Sequence, residues 1–70
     1  MSARSTSDAT EEAARLLQWM LASGPVPCQV VGARASGLRI PLSAQVQARR
    51  LLGVETVRDE AGEPHYKLPG

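Results

Sequence analysis

The chain has 70 residues, a mass of 7.5 kDa and a formal net charge of +1. That is room for one small domain and too little for a self-contained enzyme with a deep two-lobed pocket. Its residues are 43% apolar, enough for a compact core without disulfides, and with one Trp, one Tyr and no Phe that core must be aliphatic.

Met1 to Ser7 is small and polar, with Arg4 its one charge. It reads as a disordered tail, and the domain proper begins at residue 8. The polar start to Thr10 is unlike a secretory signal, and no run approaches the ~18 apolar residues of a membrane span. A cytoplasmic protein with no membrane partner is expected. Asp8 followed by Glu11 is a capping-box variant, and Glu11 and Glu12 sit where the helix dipole favours acids. Ala13, Leu16, Leu17 and Met20 recur at helical spacing, and Gly24-Pro25 ends the pattern. The first helix is expected over about 9–22. Trp19 falls about 120° from the centre of its apolar stripe at ~100° per residue. It lies at the edge of the buried face or outside it, either folded over a neighbour or facing a partner.

Pro25-Val26-Pro27 is extended and suits a very short strand. Pro27 also suits the first position of a second helix. That helix runs to about Ser36, with Val30 and Val31 inward and Gly37 as its stop. Cys28 is the one cysteine, so there is no internal disulfide, which is compatible with a reducing compartment. It reads as a small buried hydrophobe. Leu38 to Leu42 is a turn, and Ser43 is a good N-cap. Ala44, Ala48, Leu51 and Leu52 then make one apolar face. Gly53 is placed for a left-handed stop, with Val54 as its hydrophobic partner. Val54, Thr56 and Val57 favour extended structure. Asp59 to Glu63 is turn-like, with Gly62 free to take positive φ. A hairpin of about 55–58 and 64–68 follows, with Pro64 at an edge or a strand start.

The order is helix, short strand, helix, turn, helix, hairpin. It predicts an α+β fold of winged helix-turn-helix type, with the short strand pairing with the hairpin to close a small sheet. No Ser/His/Asp or Cys/His arrangement stands out, and no glycine-rich phosphate loop is present. Cys28 and His65 do not form a ligand spacing. No catalytic residue, metal, cofactor or small-molecule substrate is expected.

Recognition is better supported. Between Ala13 and Val54 the chain has no acid but carries Arg15, Arg34, Arg39, Arg49 and Arg50. The outward face of the third helix is expected to carry Ser43, Val46, Arg49 and Arg50, flanked by Gln45 and Gln47. Arginine pairs with guanine, glutamine with adenine, and valine meets a thymine methyl. Ser43 and the free N–H groups at the helix start suit a phosphate, as do Arg34 and Arg39. The hairpin tip holds Asp59, Glu60 and Glu63, so only Arg58 and Lys67, lower on the strands, are placed for a DNA backbone.

Three segments carry a family resemblance. They are Leu21-Ala-Ser-Gly-Pro-Val-Pro-Cys28, Arg49-Arg50-Leu51-Leu52-Gly53-Val54 and Tyr66-Lys67-Leu68-Pro69. Together they resemble the small C-terminal winged-helix module that follows the ATPase domain in phage and plasmid primase-helicase replication proteins. The similarity spans about residues 13–69. It implies DNA binding near an origin or on a replicating template, with Arg49 and Arg50 as the matching basic residues. The turn at Leu38 to Leu42 is longer here and contains Pro41, and the hairpin turn is more acidic.

The expected function is therefore binding of double-stranded DNA by the third helix in the major groove. The role would be a transcription or replication regulator of bacterial, phage or plasmid type. A module this small buries a modest interface, so strong specificity would need a homodimer or a larger replication or transcription partner. The alternative is a winged-helix protein-interaction module using Trp19 and the acidic hairpin tip.

Overall fold

In a computed structural model describing residues 6–69, three helices and a three-stranded antiparallel sheet follow one another. The order is α1 (Thr6–Leu21), β1 (Val26–Pro27), α2 (Cys28–Gly37), α3 (Leu42–Leu52), β2 (Glu55–Arg58) and β3 (Pro64–Lys67). Residues 1–5 of the expected tail lie outside the described residues. Thr6 and Ser7, also assigned to it, are helical. The helix thus starts ahead of Asp8, which sits within the first turn instead of capping it. An acid there still complements the helix dipole.

The core is a seam of small side chains. Along α1, Ala9, Ala13, Leu17 and Leu21 recur every fourth residue, which puts them on one face, and none is more than 3% exposed. α2 contributes Val31 and Ala35, the following turn Ile40, and α3 contributes Ala44 and Ala48, both with no exposed surface. α1 packs most extensively on α3. Alanines on both sides of that contact let two helices approach to the short end of the ~8–10 Å interaxial range. Leu16, Met20, Leu52, Val54, Tyr66 and Leu68 close around it.

Two inward assignments are corrected. Val30 is 49% exposed and Leu51 is 74% exposed. Val31 and Ala35 already fill the inner face of α2, and Val30 points about 100° away from Val31. On α3 the buried side is set by Ala44, Gln45 and Ala48. The buried side is narrow, and Leu51, about 65° from its centre in the last turn, projects past its margin.

The helix ends follow local chemistry, with one substitution of roles. α3 closes as expected on Gly53, at φ 67, with the Gly53 N–H donating to Arg50 O (3.2 Å) and the Val54 N–H to Arg49 O (2.9 Å). This is a Schellman motif. α2 closes with the same motif, but not at Gly37, which is simply its last residue. The left-handed position is taken by Arg39, at φ 61. Its N–H donates to Ser36 O (2.9 Å), and the Ile40 N–H donates to Ala35 O (3.0 Å). Ile40 and Ala35, both buried, supply the hydrophobic contact that accompanies the motif. Ser43 is not the cap of α3. The Gln45 N–H bonds Pro41 O at 3.1 Å, so the helix begins one residue after Pro41, and Ser43 lies exposed in its first turn.

The sheet has the order β1-β3-β2, so the short strand does pair with the hairpin. Val26 pairs with Tyr66 and Pro27 with His65 on one side of β3; Glu55 pairs with Lys67 and Arg58 with Pro64 on the other. Proline is tolerated at these places because Pro27 lies on an edge strand and Pro64 opens its strand.

Candidate nucleic-acid interface

The outer side of α3 brings together four of the sequence-predicted residues. Ser43, Gln47 and Arg50 are exposed, and Val46 is half-buried between them. α3 contains no acid. Arg39, in the turn just before α3, is exposed as well. Neither Arg39 nor Arg50 has a carboxylate partner among the described residues. Gln47 also accepts a hydrogen bond from Thr10 Oγ1 (3.1 Å) on α1, which sets the side on which α1 flanks this face.

Gln45 does not belong to it. It is 8% exposed, and its Nε2 donates to Ile40 O at 2.9 Å. The Ile40 carbonyl lies ahead of the first helical residue, and Gln45 ties the turn to α3 through its side chain as well as its backbone, whose N–H bonds Pro41 O. Gln45→Ala leaves that buried carbonyl short of a donor, and we expect it to cost about 1–2 kcal/mol. The lower urea-unfolding midpoint will show this.

Arg49 is half-buried and points toward the sheet. Its Cζ lies 4.9 Å from the centroid of the Tyr66 ring, within cation–π range. It therefore links α3 to β3 and leaves Arg50 as the outward arginine of the pair. Arg34 is turned to α1, with its Cζ 6.0 Å from the Trp19 ring. Arg58 Nη1 donates to Gly62 O (2.7 Å) within the hairpin turn, and Lys67 faces Glu55 across the strands at 3.9 Å. Both hairpin cations thus have partners inside the hairpin. Asp59 is a turn residue: its Oδ1 accepts from the Ala61 and Glu63 N–H groups, both at 2.9 Å. Asp59, Glu60 and Glu63 are all exposed, so the tip keeps its acidic surface.

Sequence reasoning missed the Tyr66 cluster, which joins β3 to Cys28 at the start of α2 and Arg49 on α3. Burial raises the Tyr66 hydroxyl above its ordinary 10.0; Arg49 pulls it down, while Cys28 raises it by charge and by a side-chain hydrogen bond. A raised phenol holds its proton longer folded than unfolded. Its contribution to stability is therefore complete below pH 10 and is lost as pH rises from there through the folded value. Tyr66 is the only tyrosine, so spectrophotometric titration reads it directly. We expect a midpoint above 10.0 in the folded protein and at about 10 in denaturant. Arg39 was picked out for its charge, but not its conformation. The available signal was Pro41, since proline commonly follows a helix stop by one or two residues.

A depression of about 10 Å3 among Ala13, Leu17, Val31, Gln45 and Arg49 has room for roughly one water. Among the described residues no three His, Cys, Asp or Glu side chains are grouped for a metal, and no helix is long and apolar enough to cross a membrane. No protein-family model, curated protein or solved structure matches the chain.

Proposed function

We propose that the protein is a winged helix-turn-helix module that binds double-stranded DNA, with α3 in the major groove. The observation that carries this reading is the outer side of α3, where Ser43, Val46, Gln47 and Arg50 stand together without an acid beside the unpaired Arg39. Arg50 and Gln47 carry the donor patterns that read guanine and adenine edges, and Val46 suits a thymine methyl. Ser43 and Arg39, at the entry to the helix, suit the phosphate backbone. Arg49, held on Tyr66, positions α3 against the sheet and offers its free edge to a phosphate. The order of helices, strand and hairpin supports the winged-helix assignment. The resemblance to the modules of phage and plasmid replication proteins supports a regulator of replication or transcription.

The test is fluorescence anisotropy of a labelled random-sequence duplex titrated with the protein at several salt concentrations. Arg39, Arg49 and Arg50 together predict a log–log salt slope of about −3, at about −0.9 per neutralised phosphate. No binding at low salt would overturn the reading.

A further inference from the structure

Leu42 is the first residue of α3 and is 70% exposed. The sequence alone places it at the end of a turn. In the structure the Gln45 N–H bonds Pro41 O, so the helix already includes Leu42. At ~100° per residue Leu42, Val46 and Arg50 then fall within an arc of about 80°. Val46, at the middle of that arc, lies about 155° from the centre of the buried side formed by Ala44, Gln45 and Ala48. Leu42 takes no part in the core, so its apolar surface is left for something outside the chain.

Two apolar side chains thus run along the first half of the outer face, with a cation beyond each end. Arg39 lies three residues before Leu42, and Arg50 four residues after Val46. Both are exposed, and neither has a carboxylate partner among the described residues. α3 carries no acid. This order of charge and apolar surface selects the occupant. An apolar partner would leave both guanidinium groups unpaired, and a purely acidic one would set charge against the leucine. The major groove has both parts. Phosphates line its walls, and on its floor the 5-methyl of thymine is the apolar group that a base pair presents. Along the helix axis Leu42, Val46 and Arg50 stand about 6 Å apart, close to two base-pair steps of ~3.4 Å.

We propose that Leu42 and Val46 form a line that reads thymine methyl groups. The preferred duplex places two thymines and a guanine, in that order and about two base pairs apart, under Leu42, Val46 and Arg50. This preference, which rests on the DNA-binding reading above, is set by apolar contact at Leu42 and not by charge.

Duplexes selected from a random pool by the whole protein supply the probe. Fluorescence anisotropy then compares each with copies in which uracil replaces one thymine at a time. Uracil keeps every hydrogen-bonding group and loses only the methyl. At each of the two positions we expect an affinity loss of about fourfold, the effect of one buried methyl group. Leu42→Ala will lower affinity for the selected duplex by a similar factor, and it will no longer respond to uracil at the position under residue 42. Uracil under Val46 will still weaken it. Its salt slope on a random duplex will equal that of the wild type, and its melting curve will be unchanged because the side chain is exposed. Selected duplexes without thymine, or a wild-type protein indifferent to uracil, overturn the thymine preference, while salt-dependent binding leaves the DNA reading standing. A Leu42→Ala protein that still senses both methyl groups overturns the role of Leu42. If the wild type binds no duplex at low salt, both readings fail together.

Discussion

Arg39→Gly will make the protein more stable and a poorer binder of DNA. Arg39 holds φ 61 at the close of α2, where a β-carbon costs about 1–2 kcal/mol. Glycine avoids that cost but loses more backbone freedom on folding, so the net gain is about 0.5–1 kcal/mol. For a domain of this size that is a rise of a few degrees in Tm. The same change removes an unpaired cation at the entry to α3, and an affinity loss of about fivefold at low salt follows from one lost charge-assisted contact. Adding Arg50→Ala will bring the loss to about thirtyfold and flatten the log–log salt slope by about 1.8, close to 0.9 for each arginine. Calorimetry and anisotropy on the same preparations read both signs. A stabilised Arg39→Gly protein with wild-type affinity would remove Arg39 from the interface. The opposite signs are what a residue kept for its charge, against its backbone preference, should give.

Ala48→Leu will have the largest effect on the fold. Ala48 has no exposed surface and lies where α3 packs on α1. A leucine there forces the helices apart or off their rotamers, at a cost of about 3 kcal/mol. A domain of 70 residues has about 4–10 kcal/mol in total, so a substantial fraction of the variant unfolds in mild urea. The control is Leu51→Ala, three residues along the same helix. With Leu51 74% exposed, we expect a change within about 0.5 kcal/mol. Equal destabilisation by the two substitutions would put Leu51 back in the core, as its spacing from Ala44 and Ala48 suggests.

The site was legible in part. Arg50, Ser43, Val46 and Gln47 were readable as an outward face from helical spacing, and the structure places all four there. Gln45 and Arg49 were read onto the same face, and both belong elsewhere, one tying down a proline turn and the other lying on an aromatic ring. What spacing lacks is the position of the neighbours, and these two residues lie on the flanks of α3, where a neighbour decides whether a polar side chain is outside or inside. Trp19 illustrates the converse. Its angle put it at or beyond the edge of the buried face, and among the described residues it stays 70% exposed, with Arg34 of α2 against its ring.

By itself the sequence determined the features that depend on a few adjacent residues. These are the three helices, the terminal hairpin, the positive φ of Gly53 and Gly62, the Asp59 turn and the absence of acid along α3. Each rests on a local backbone preference or on the period of one element, and neither requires a distant partner. The tertiary structure alone decided that Arg39 and not Gly37 closes α2, that Pro41 displaces Ser43 from the cap, that α3 turns Ala44 and Ala48 but not Leu51 to the core, and that Arg49 turns to Tyr66 and Arg50 outward. In each case two local solutions lie within about 1–2 kcal/mol of one another. Burying Ile40, Ala44 and Ala48 against α1 is worth more than that difference, so long-range packing makes the choice.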